Sequence, residues 1–134
     1  FSPKNVLVYR NDLIILDHEV AHFGDPAFDI GFSMTHLLSK AHHLPEHRAS
    51  FQRAALQFWT VYWQETCAEA WAPEFETRAL RSLLACLLAR AAGRSRLEYM
   101  NDSERQRQMD VVTALMGDPP TGMPDLISRF VSNL

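Results

Sequence analysis

The chain has 134 residues, a formal net charge of −3, 47% hydrophobic residues and 22% charged ones. That balance fits one globular domain able to bury a core, and eight Phe, three Tyr and three Trp argue against extended disorder. It argues equally against a nucleic-acid or anionic-membrane surface, which needs clustered cations; here Arg94, Arg96, Arg105 and Arg107 are interleaved with Glu98, Asp102 and Glu104.

Residues 1–17 read as a β-hairpin. Val6-Leu7-Val8-Tyr9 and Leu13-Ile14-Ile15-Leu16 are β-rich runs, and Arg10-Asn11-Asp12 supplies the turn. Both runs are continuously apolar, which predicts cover on both faces. A lone hairpin is marginal, so it is expected to pack on the helices that follow.

From Phe23 onward the pattern is helical. Asp25 is the expected N-cap and Pro26 the first helical residue of a segment reaching about Lys40. His42-His43-Leu44 reads as a connector. Pro45 opens a long helix to about Trp71, with Phe51, Ala55, Phe58 and Tyr62 as its buried stripe. Pro73 opens the next, with Leu80, Leu83, Leu84, Leu87, Leu88 and Ala91 facing inward and Gly93 as its stop. Asp102 or Ser103 caps a helix ending at Gly117. After the break at Asp118-Pro119-Pro120-Thr121-Gly122 a short helix carries Leu126, Ile127, Phe130 and Val131. The predicted fold class is mainly α with one short N-terminal β-hairpin. Residues 1–24 form the hairpin and a loop, and residues 25–134 about five helices, in one partial domain.

The chemistry concentrates near the hairpin. With a turn centred on Asn11, Asn5 and Asp17 oppose each other across the strands, where Cβ atoms lie about 5 Å apart. A carboxamide oxygen and a carboxylate so placed can share a hard cation such as Mg²⁺. Glu19, two residues on, points the same way if the chain stays extended.

Three segments here carry a family resemblance. Phe1-Ser2-Pro3-Lys4-Asn5-Val6-Leu7 resembles the tail of the His-Gly-Asp-x-x-x-x-Asn catalytic loop of the aminoglycoside phosphotransferase and choline kinase superfamily. Leu16-Asp17-His18-Glu19-Val20-Ala21 is similar to its metal-binding segment, and Gly24-Asp25-Pro26-Ala27-Phe28-Asp29-Ile30 to its Gly-Asp-Pro-x-x-Asp segment. Ala89-Arg90, Gly93-Arg94-Ser95 and Glu98-Tyr99 look like a further stretch common in that family. The resemblance implies the carboxy-terminal lobe of a protein-kinase-like fold, truncated, from a parent that transfers a phosphoryl group from ATP, with Mg²⁺, to a hydroxyl of a small molecule. It implies Asn5 and Asp17, with Glu19 more weakly, as metal ligands. Asp29 becomes a buried brace for the catalytic loop, and Gly24 and Pro26 shape the turn into the helix. Lys4 sits where it could touch phosphate, although a solvated loop lysine is the plainer reading. The family's catalytic Asp would precede Phe1, and the ATP-binding lobe has no counterpart in this sequence. The fragment alone is therefore expected to be inactive and to bind neither ATP nor Mg²⁺ tightly.

The remaining features are read plainly. His18 and His22 fall in a loop, and in the cluster of His42, His43 and His47 the last two straddle a helix start, so neither set reads as a zinc site. Trp59, Trp63, Trp71 and Tyr62 could cage a cationic substrate by cation–π contact, but core packing is the preferred reading. Glu65, Glu69, Glu74 and Glu76 form a solvated face. Cys67 and Cys86 are expected to be buried, reduced thiols of a cytoplasmic protein. No run approaches the ~20 apolar residues of a membrane span. An apolar face uncovered by truncation would favour a homodimer or larger species. The alternative to a kinase fragment is a non-catalytic helical interaction module with a kinase-like shell.

Overall fold

The computed structural model describes residues 2–19, 21–69, 71–72 and 74–134. A 3-10 turn at Pro3–Asn5 leads into strands β1 (Val6–Tyr9) and β2 (Asp12–Ile15). Five helices follow: α1 (Pro26–His43), α2 (Arg48–Thr66), α3 (Phe75–Ala92), α4 (Asp102–Gly117) and α5 (Met123–Ser132). The mainly helical class with one hairpin is as the sequence indicates.

Local chemistry explains most boundaries. The Asp25 carboxylate accepts from the Ala27 N–H at 3.0 Å and Pro26 occupies the first turn of α1. That helix runs to His43, so the expected histidine connector is its last turn, and only Leu44 and the 3-10 turn Pro45–His47 separate it from α2. Helix α2 stops at Thr66, short of Trp71, where Thr66 Oγ1 donates back to the Tyr62 carbonyl. The chain then turns, Glu74 takes a left-handed φ of 62°, and Trp71 packs edge-on against Phe75 at 5.0 Å. Pro73, the expected start of α3, lies outside the described residues, and Phe75 is the first helical residue. Asn101 rather than Asp102 or Ser103 caps α4. It forms a reciprocal box, its Oδ1 accepting from the Glu104 N–H at 2.9 Å while Glu104 accepts from the Asn101 N–H at 2.7 Å. The N-terminus of α5 is served from another helix, because Glu76 Oε1 accepts from the Met123 N–H at 2.7 Å.

Helix α1 is the hub. It packs chiefly on α3 and α2; α4 covers α3, and α5 closes against α2. The core contains Met34, Leu38, Phe75, Leu83, Leu87 and Phe130, all fully buried. A deep polar node is Gln108, which accepts from Ser39 Oγ at 3.2 Å and donates to the Leu87 carbonyl at 2.8 Å, tying α4 to α1 and α3.

The hairpin departs from expectation. Its faces are not covered: Leu7, Val8, Tyr9, Leu13, Ile14, Ile15 and Leu16 are all between 40% and 71% exposed. Sequence alternation cannot distinguish a strand covered twice from an apolar strand left open, because both read as unbroken apolar runs. Cys67 is exposed and Cys86 half-buried, so neither thiol is fully interior.

Candidate functional site

The hairpin turn is the two-residue pair Arg10-Asn11, both left-handed at φ 48° and 67°, and Asp12 already belongs to β2. The register pairs Tyr9 with Asp12 and Val6 with Ile15. Continued by one step, it sets Asn5 opposite Leu16, whose N–H donates to the Asn5 carbonyl at 2.8 Å. Asn5 and Asp17 are therefore not directly opposed, as a turn centred on Asn11 would make them. They meet all the same. Asp17 leaves the strand with φ 58°, a conformation Asp tolerates better than most residues, and Asn5 Nδ2 donates to Asp17 Oδ2 at 2.9 Å.

The other expected site residues are placed as follows. Lys4 is exposed in the 3-10 turn. Glu19 is exposed beyond Asp17 and makes no hydrogen bond to it, because the left-handed residue breaks the extended path that would align them. Gly24 is exposed and Pro26 half-buried at the helix start. Asp29 is exposed rather than buried: the inward stripe of α1 runs through Ala27, Ile30 and Met34, which leaves position 29 on the flank. Among the described residues, no group of three or more His, Cys, Asp or Glu is arranged to hold a metal ion.

No protein-family model, no curated protein and no solved structure matches this chain. Among the described residues, no helix is long and apolar enough to cross a membrane.

The aromatic residues of α2 pack into the core rather than form a cage. Trp59 stacks on Trp63 at 5.7 Å, and Trp59 and Tyr62 stack on Phe75 at 6.3 and 5.6 Å. Phe75 escaped notice in the sequence because it stands at the start of a helix, outside the leucine stripe.

A second polar–aromatic cluster lines one side of α1, where Phe32, His36, Lys40 and His43 recur at helical spacing. His36 meets Phe32 edge-on at 5.1 Å, Lys40 Nζ sits 3.8 Å from the Tyr99 ring centre, and the Arg90 guanidinium lies 5.0 Å over Phe32. Arg90 also donates to the Ser95 carbonyl at 2.7 Å, so the loop after α3 folds back on an arginine of its last turn. Burial pushes the Tyr99 phenol up to about 12 against the opposing pull of Arg90. Burial also lowers the basicity of His36, and the charges of Arg90, Lys4 and Lys40 lower it further. His42 is lowered by burial too; Glu104 opposes the shift, while Arg48 and Arg107 add to it. For Glu104 itself burial acts upward, but the Asn101 N–H and His43 outweigh it and the net shift is downward.

The histidine shifts carry a sign. A histidine whose folded pKa lies below the unfolded value of about 6.5 binds protons more readily when unfolded. Its contribution is fully present above that value and is lost as pH falls below it. Urea midpoints are expected to fall between pH 7.5 and 5.5, and the fall is expected to shrink in His42→Gln. A midpoint flat across that window would contradict the burial of these imidazoles.

Proposed function

We propose that this chain is the carboxy-terminal part of an ATP- and Mg²⁺-dependent phosphotransferase acting on a hydroxyl of a small molecule. The observation that carries the reading is the contact between Asn5 and Asp17 at the open end of the hairpin. The Asn5 amide turns its NH₂ toward the carboxylate. Rotation about the Asn5 Cβ–Cγ bond exchanges Nδ2 for Oδ1, so the same pair can present two oxygens side by side. Asn5 and Asp17 would then hold Mg²⁺, whose role would be to neutralise charge on the ATP phosphates. The order of the three resembling segments supports the same reading. It assigns no catalytic base to residues 2–134, and Glu19, Lys4 and Asp29 take no direct part in it.

Two measurements test it. Mn²⁺, standing in for Mg²⁺, is expected to broaden the NMR signals of the Asn5 side-chain amide and the Asp17 backbone amide selectively, and Asp17→Ala to abolish that broadening. Uniform broadening at exposed carboxylates, unchanged in Asp17→Ala, would remove the metal pair. The gene upstream of Phe1 is the second test: codons for His-Gly-Asp directly before it support the phosphotransferase. A start codon there would turn the assignment to a non-catalytic interaction module, the reading favoured by the exposed apolar hairpin.

A further inference from the structure

Among the described residues no further strand pairs with the hairpin, which leaves it two edges, and its register states which backbone groups they present. Asn5 with Leu16 is a hydrogen-bonded pair, so Leu7 with Ile14 and Tyr9 with Asp12 are as well, by the alternation of an antiparallel ladder. The N–H and C=O groups of Val8 and the C=O of Val6 therefore point outward from β1, the Val6 N–H being taken by the Pro3 carbonyl, and the N–H and C=O groups of Leu13 and Ile15 point outward from β2. These are edge positions on strands exposed over both faces, and none of the four is a proline or a charged residue.

Charge decides how such edges can pair. Beside β1 stand Lys4 and Arg10; beside β2 stand Asp12 and Asp17; all four are exposed. Pairing β1 with β1 of a second copy through Val6 and Val8 would set Lys4 against Arg10 at both ends. Pairing β2 with β2 would bring Asp12 within one residue of Asp17 at both ends. Like charges across strands repel. Pairing β1 of one copy with β2 of the next repeats the internal register, with Val6 opposite Ile15 and Val8 opposite Leu13. It brings the cations flanking β1 toward the acids of β2, Lys4 on the side of Asp17 and Arg10 beside Asp12, so both ends attract.

We infer that the hairpin is a head-to-tail self-association surface, the β1 edge of one copy adding to the β2 edge of the next. The relation is heterologous, so each added copy leaves one β1 edge and one β2 edge free and growth does not stop at two. The inference is independent of any metal at Asn5 and Asp17.

Sedimentation velocity of the 134-residue chain tests it. The weight-average mass is expected to rise with concentration past that of a dimer, and to fall back when 0.5 M NaCl screens the paired ends. Val8→Pro removes an outward N–H without touching the internal ladder, and is expected to abolish growth while the helical circular dichroism is unchanged. Charge variants supply the decisive arm. Lys4→Glu with Arg10→Glu leaves both edges acidic, and Asp12→Lys reverses one of the two acids beside β2. Each variant alone is expected to lose association, and an equimolar mixture to recover it. A plateau at two copies, a monomer at all concentrations, or a mixture that stays dissociated would each overturn the inference.

Discussion

Phe75→Ala is expected to lower the unfolding free energy by about 3–5 kcal/mol, the range for deleting a buried aromatic ring. Phe75 is fully buried and is the common partner of Trp59, Tyr62 and Trp71, with the Arg78 guanidinium 5.8 Å over its ring. Its neighbours come from α2 and from the turn before α3, so no single element can slide in to fill the space. Alanine's better helix propensity returns at most about 0.7 kcal/mol and does not change the sign. A domain of this size has about 5–15 kcal/mol in total, so the variant is left near the edge of folding at 37 °C. Urea unfolding followed by circular dichroism reads the effect as a lowered midpoint. Phe28→Ala is the control: Phe28 is 56% exposed, and its loss is expected to cost under about 1 kcal/mol. Equal costs for the two variants would show that Phe75 is not the hub described.

The same residue shows what the sequence could and could not disclose. Helix starts with strong local chemistry were legible: Asp25-Pro26 is a cap and first-turn proline in the chain as in the pattern. The stripe through Leu83, Leu84, Leu87 and Ala91 was legible because one helical period buries all four. What tertiary packing decides was not. Helix α2 ends at Thr66, short of Trp71, and the packing of Phe75 against Trp59 and Tyr62 of that helix is a contact between elements that no local rule gives. Cover over the hairpin was inferred from apolar runs that turn out to face outward.

The candidate site divides in the same way. That Asn5 and Asp17 come together was legible from a short turn between two strands. The route was not, since it needs a two-residue turn, a register one step away, and a left-handed Asp17 to restore the contact. Asp29 illustrates the reverse error. A motif position implied burial, but the inward face of a helix is fixed by its neighbours, and Ala27 and Ile30 take that face.

Gly31→Ala carries the second large expected effect, and its sign runs against the usual rule. In a helix interior, glycine to alanine normally stabilises by about 1 kcal/mol. Gly31 lies inside α1 at the crossing with α3, where the two main core helices meet. A Cβ built there would come within 2.7 Å of the Leu83 N and 2.8 Å of the Ser82 C. These are backbone atoms of a helix, so no rotamer change moves them aside; α1 and α3 must separate instead. Overpacking of this kind costs about 1–3 kcal/mol, and here it spreads to the layer of Met34, Leu83 and Leu87. The variant is expected to melt several degrees below the parent, at roughly 4 °C per kcal/mol for a domain of this length. Gly117→Ala is the matched control. It closes α4, a Cβ there meets nothing within 4 Å, and its change is expected to stay within about 0.5 kcal/mol. A Gly31→Ala protein that melts higher than the parent would mean that α1 and α3 do not cross as closely as the core requires.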